Sequence, residues 1–407
     1  MPFGAYEYVV DLSNPYDKAY PSKLDQRGRK YIGPVKNGTS WALSALGALE
    51  TFLGKVSDKM LDLSSLTTTL TSAPATSYSA SGLKSGNFTL SMSYMSELGY
   101  MASDKDGMKA AKMAAVKNFE AVEYNISRLK GSITKFGSVV SSIYVGEFDK
   151  DAYSSKHSAY YEPSSELVPN HMIQIIGWDN SFPAERFAVT PEINGAWIAK
   201  DSRGESFGDK GYLYISYADH MVAKNLYVIT EATEATEPLK LYSHGDSGAN
   251  AAVNFNSKTA WSANTFEIDK DTEKLSAVSF YTANSNVSYE IWVSDQGKFS
   301  VRKLLKTGKA DAAGYTTVDL DYPLTLRSNK VTILVKMTSD GVIHIPVEKG
   351  IATAESGQSY ASSDGRTWID VVENIIDANL CVRAWTTPIQ AIQPIQPVQE
   401  ESFKITT

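Results

Sequence analysis

The segment "PVKNGTSWALSALGALE", Pro34 to Glu50, holds the side chains with the most chemical promise. A glycine-bearing turn leads to Ser40 and Trp41, and an apolar helical pattern starts there. A helix start carries partial positive charge, which depresses the pKa of a thiol placed on it. The sequence has one cysteine, Cys381, close to its far end. Position 40 therefore offers a hydroxyl. A hydroxyl is far less acidic than a thiol, and a helix dipole contributes only about 0.3–2 kcal/mol, too little to make an alkoxide at neutral pH.

The elements that must position this residue are legible as patterns. Ala42, Ala45, Leu46, Leu49 and Leu53 recur at helical spacing, which predicts a helix from Ser40 to Gly54, with Ser40 able to cap its start and Gly54 to end it. A second helical pattern, rich in Ala and Lys, runs from Met108 to about Leu129. "HMIQIIGWD" (His171–Asp179), "GAWIAKD" (Gly195–Asp201) and "GYLYISY" (Gly211–Tyr217) read as buried or half-buried strands. "TEATEATEPLK" has the composition of an interdomain connection. Beyond it come at least six short alternating segments divided by Gly, Asn, Asp and Ser turns, the pattern of a β-sandwich. The expected divisions are 1–229, a linker at 230–239, a sandwich at 240–388 and a Pro/Gln-rich tail at 389–407.

The bulk composition narrows the function. The 407 residues suggest two or three domains, and 43% hydrophobic with 21% charged residues is an ordinary folded composition. A net charge of −7 argues against a nucleic-acid partner. One cysteine excludes an intramolecular disulfide and a cysteine-built zinc site. No run of about 18 apolar residues predicts a membrane-spanning helix, and no basic segment followed by an apolar core marks a signal peptide at the N-terminus. No cofactor or metal is expected; lone Asp residues in turns leave a calcium ion open, without a 12-residue EF-hand loop.

Three ordered segments fit together: "LDQRGRKYIGPVKNGTSWALSALGALE" (Leu24–Glu50), "NHMIQIIGWDN" (Asn170–Asn180) and "NGAWIAKDSRGESFGDKGYLYISY" (Asn194–Tyr217). Together they resemble the papain-like cysteine peptidases, with Asp25 and Arg27 supplying the D-x-R that precedes the catalytic loop. The resemblance implies a two-lobed α+β cleft, in which a Cys at a helix N-terminus faces a His from the β lobe, and a Gln side chain and a backbone N–H hold the oxyanion. On that pattern Trp41, Ala42 and Ser44 align with the W-A-x-S after the nucleophile, so Ser40 takes the nucleophile slot. His171 takes the histidine position, Asp201 replaces the orienting Asn, and Arg203 replaces the Trp that shields it. The Q-G-x-C segment is missing between Asn37 and Gly38, and the oxyanion Gln goes with it. Ser85-Gly86 is the remnant of the glycine pair lining the cleft.

By residue type, Ser40, His171 and Asp201 also make a Ser-His-Asp triad, so a serine hydrolase on this frame is the competing expectation. Plainer roles exist for each: Ser40 as an N-cap, His171 as a structural histidine, Asp201 with Arg203 as a surface ion pair worth about 0–1 kcal/mol. The missing oxyanion donor, typically worth about 10²–10³ in turnover, favours degenerate, inactive catalytic positions.

The region from about Leu239 to Pro388 resembles the lectin-like domain that follows the peptidase in bacterial and archaeal surface proteins. It does so through "WSANTFEID", "SAVSFYTANSNVSYEIWV", "AGYTTVDLDYPLTL", "GQSYASSDGRTWIDV" and "NLCVRAW". A sugar site needs an exposed aromatic and convergent polar groups. Trp261 and Trp368, with Asn264 and Asp370, are the candidates, against a core role for the aromatics. The expected protein is a pseudoenzyme at the cell surface or outside the cell. Its expected partners are other surface proteins, further copies of itself, or a peptide or glycan.

Overall fold

Ser40–Ser57 form the central helix α1. Trp41, Leu46, Leu49 and Leu53 are buried along it, and the buried small residues Ala42, Ala45 and Ala48 let neighbours approach closely. A helix apolar on nearly every side belongs in a core. α1 runs past Gly54: Asp58 turns left-handed at φ 51, and the Lys59 N–H donates to Gly54 O at 3.1 Å, a C-terminal turn of the αL kind. Ser40 is the first helical residue and not the cap. Thr39 takes the cap position without a side-chain hydrogen bond.

The computed structural model describes residues 16–63, 91, 92, 95, 113–146, 151–235, 239–245, 248–296, 298–349 and 354–389. Ser85-Gly86 and nearly all of the Pro/Gln tail lie outside them. The first domain adds β1 (Lys23–Leu24), β2 (Met113–Ala121), α2 (Ile126–Phe136), β3 (Val139–Ile143), β4 (Tyr153–Ser154), β5 (Ala159–Tyr160), β6 (His171–Asp179), β7 (Ala196–Lys200), β8 (Tyr212–Ser216) and β9 (Tyr227–Ala235). β6 is buried on both faces, which is why it reads as a largely apolar run, interrupted inside by Gln174. Met172 joins the core around α1, while Ile173 and Ile175 join a second core beneath α2.

Two sequence expectations fail here for the same reason. Of the helical pattern expected over Met108–Leu129, residues 108–112 lie outside the described residues, Met113–Ala121 form strand β2, and the helix begins only at Ile126, capped by Asn125 accepting from Arg128 N–H. Residues 230–235, expected in the linker, continue β9, with Glu231 opposite Asn118 and Ala235 opposite Met113. Each segment supplies the other's ladder, and pairing between distant segments overrides local propensity.

The second domain comprises β10 (Lys240–Tyr242), β11 (Ala251–Val253), β12 (Thr259–Glu267), β13 (Glu273–Thr282), β14 (Val287–Ser294), β15 (Lys303–Ala310), β16 (Gly314–Thr325), β17 (Lys330–Thr338), β18 (Ile345–Lys349), β19 (Ser359–Ser362), β20 (Ile369–Asp370), the short helix α3 (Val371–Asn374), β21 (Ala378–Leu380) and β22 (Val382–Pro388). One sheet runs β15-β14-β17-β12-β19-β20. It faces β10-β22-β13-β16 across a core of Val, Ile, Leu and Phe, as a β-sandwich requires. The architecture is thus an α+β domain followed by a β-rich sandwich, as the sequence predicts.

The domains are not beads on a string. β16 pairs antiparallel with β2, setting Tyr315 opposite Phe119 and Thr316 opposite Asn118, so one sheet crosses the boundary. Gly314 permits this, since a Cβ there would lie 2.1 Å from Phe119 O. Phe119 stacks on Tyr315 with centroids 5.9 Å apart and meets Tyr281 edge-on. The core around α1 accordingly includes Tyr281, Tyr315 and Cys381 of the second domain. Cys381 is buried there, and burial pushes its thiol pKa up, consistent with a packing role.

Candidate active site

Ser40 stands at the start of α1, His171 at the start of β6, and Asp201 one residue past the end of β7. β6 and β7 pair antiparallel with Gln174 opposite Lys200, so the register carries His171 and the residues after Lys200 to the same end of the sheet. His171 Nε2 lies 3.0 Å from Asp201 Oδ2. Burial pushes the Asp201 carboxyl up, but the hydrogen bonds from His171 and Arg203 outweigh it and hold the group well below the usual carboxylate range. An ionised Asp201 accepts, so Nε2 carries the proton and Nδ1 is left as the nitrogen able to take one.

Ser40 does not complete the relay. Its Oγ accepts from the Met172 backbone N–H at 3.3 Å, and among the described residues no hydrogen bond joins it to His171. Asp201 is claimed from the other side too. The Arg203 backbone N–H and Nε–H donate to Oδ1 at 2.8 and 2.9 Å, and Nη2–H donates to Oδ2 at 3.0 Å. The plainer alternative of a surface ion pair fails, since the carboxylate is only 3% exposed, and the guanidinium stacks 3.6 Å above the Phe207 ring.

The turn before α1 is tied down as well. Asn37 forms a β-bridge with Arg203, and the Gly38 N–H donates to Ser202 O at 2.9 Å. The shortened loop therefore pairs directly with the segment that carries Asp201. Asp25 and Arg27 form a bidentate ion pair that reaches Asp209 and Tyr214, a brace between the start of the domain and β8.

The four sugar-site candidates do not converge. Trp261 and Trp368 meet edge-on at 6.2 Å, and Arg302 lies 4.5 Å over the Trp261 ring. Trp261 itself is 6% exposed and packs in a small cluster with Trp292, Phe299 and Tyr360. Asn264, an odd number of residues along β12, faces the other side. It is buried, donating to Leu380 O and Val382 O at 2.8 Å and accepting from Ser359 Oγ–H. Asp370 caps α3 and accepts from the Gly357 N–H at 2.6 Å. The polar candidates are spent on structure, which strand alternation and turn chemistry explain.

The profile of the papain family cysteine proteases matches residues 20–232, just over half of the chain. The chain belongs to the papain family. A lectin like domain profile matches residues 241–386. Papain-family relatives include cathepsin K of Mus musculus, 28% identical over 232 residues, covering 53% of this chain and 65% of that protein. Testin-2 of Rattus norvegicus is 26% identical over 212 residues, covering 48% of this chain and 60% of its own length. The chain thus spans less than two thirds of the curated relatives it matches. Among solved structures, the clostridial cysteine protease Cwp84 after propeptide cleavage superposes with a TM-score of 0.76 at 21% identity, covering 90% of this chain and all of that one. A second structure, of the cysteine protease and lectin-like domains of Cwp84, described as a surface layer associated protein of Clostridium difficile, gives 0.74 at 21% identity, covering 90% of this chain and 89% of that one. The likeness establishes a shared two-domain fold.

The site also contains residues that motif reading passed over. Glu50, Gln174, Lys200 and Ser202 lie behind Asp201 around one small cavity. The signal was a polar residue set inside each apolar run, Gln174 in "HMIQIIGWD" and Glu50, beside Thr51, between Leu49 and Leu53.

Proposed function

We propose that this papain-family chain is a pseudoenzyme. It works through its surfaces, outside the cell, as a structural, adhesive or peptide- or glycan-binding component, and assembly with further copies belongs to the same role. The observation that carries the reading is the state of the three positions at the site. Asp201 is shared between His171 and Arg203, while the Ser40 hydroxyl rests on the Met172 N–H. A serine hydroxyl is activated by a base in hydrogen-bonding contact, and the Ser40 hydroxyl meets a backbone N–H in place of one. The Asn37–Arg203 bridge and the Gly38–Ser202 bond support the same reading, since they commit backbone groups beside the place where the family's oxyanion Gln is missing. The likeness to both domains of a surface layer associated protein supports placement at the cell surface.

The competing reading is a hydrolase using Ser40, favoured by the His171–Asp201 contact alone. A fluorophosphonate probe separates the two. The pseudoenzyme reading expects no labelling above that of Ser40→Ala, whereas labelling lost in that variant establishes the hydrolase.

A further inference from the structure

The polar cluster behind Asp201 has unfinished hydrogen bonding, and its chemistry specifies an occupant. Glu50 is fully buried, Gln174 is 1% exposed and Ser202 is 4% exposed. Each lines the same small cavity, between α1, β6 and the end of β7. Glu50 Oε1 accepts from Lys36 Nζ at 2.5 Å and the Leu63 N–H at 2.7 Å. Gln174 Nε2 donates to Thr51 Oγ1 at 2.9 Å and Ser138 Oγ at 3.1 Å, which fixes the amide and turns Oε1 the other way. Lys200 Nζ donates to Gly33 O at 2.9 Å. Among the described residues, Glu50 Oε2, Gln174 Oε1 and Ser202 Oγ are then left buried without a protein partner, although buried polar groups are nearly always satisfied.

Two acceptors and a hydroxyl demand a molecule that donates twice and also accepts. An anion is repelled by the carboxylate and the amide oxygen. A further cation meets the Lys36 and Lys200 ammonium groups, which already neutralise Glu50. The space open to a water-sized centre is about 10 Å³, enough for one water molecule. Gly47 keeps that corner open, because a Cβ there would lie 2.5 Å from Gln174 Oε1.

We propose that this cavity is a binding site for a single buried water, which donates to Glu50 Oε2 and Gln174 Oε1 and accepts from the Ser202 hydroxyl. The water joins α1, β6 and the Asp201 segment into one polar network. The assignment is independent of whether Ser40 has any activity.

A crystal structure of the full chain at about 1.5 Å tests it, together with a thallium(I) soak. The expected result is one peak within about 2.7–3.2 Å of all three atoms, without thallium anomalous signal, and its loss in Gln174→Leu. No peak in the wild-type protein, or a thallium peak at that position, overturns the proposal, and neither result depends on the variant folding. Persistence of the same peak in Gln174→Leu overturns the role of the amide oxygen.

Discussion

Arg203 grips both carboxylate oxygens of Asp201, through Nε–H to Oδ1 and Nη2–H to Oδ2, while His171 Nε2 shares Oδ2. The residue that orients the histidine is thereby built into a structural clamp. Arg203→Met should destabilise the protein by about 3 kcal/mol, the low end for breaking a buried pair, because the arginine side chain remains 28% exposed. Urea unfolding measures this; a change below about 1 kcal/mol would reduce the clamp to an ordinary surface contact.

The pH dependence of the clamp has a definite sign. The folded-state pKa of Asp201 is depressed, because hydrogen bonds from His171 and Arg203 outweigh burial. Its contribution is therefore fully present above the unfolded value of about 3.9 and is lost as pH falls toward the folded value. Asp201→Asn should cost stability at pH 7, and the gap to wild type should shrink steadily below about pH 4. Paired unfolding curves across that range check the trend.

How legible was this in the sequence? The helix at Ser40, the strand at His171 and the strand leading to Asp201 were readable because each is a local pattern with a fixed period or a motif. β2 was not, since its Ala- and Lys-rich residues favour helix locally and become strand only through pairing with β9 and β16. The same long-range pairing turned part of the expected linker into β9. The commitments of Asn264 and Asp370 were invisible for another reason: which face of a strand is buried depends on the partner sheet. Ser40 kept its place at the helix start, but its hydroxyl turned to a backbone group brought from β6.

Lys200 offers an alkaline counterpart. Burial pulls its pKa down to about 8, against a partial rise from Glu50. Between pH 8 and the ordinary lysine value of about 10.4, the unfolded chain holds a proton that the native state does not. Stability from this group therefore rises with pH, by about 2 kcal/mol from pH 8 to 9.5 at most. The difference in unfolding free energy between wild type and Lys200→Met should grow across that window, and a constant difference would refute the assigned ionisation.

The sheet that crosses the domain boundary should make the two domains unfold as one cooperative unit. Phe119→Ala should cost about 3–5 kcal/mol and lower the unfolding midpoint reported by tryptophans of both domains. Loss confined to the first domain's signal would mean that the shared strand pairing and aromatic stack carry no coupling.

On the proposed reading, Ser40→Cys should place a thiol at the start of α1 without producing an enzyme. The new cysteine should alkylate with iodoacetamide far faster than buried Cys381, while peptide turnover stays at least about 10²–10³ below that of a papain-family protease, for want of the oxyanion donor. Turnover at ordinary peptidase rates would show that the shortened loop is no obstacle.

The most direct measurement is a long incubation of purified wild-type chain and Ser40→Ala with a mixed peptide library, read by mass spectrometry. The account predicts identical cleavage in both samples, at the level of buffer alone. Fragments produced by the wild type and missing from Ser40→Ala would contradict it.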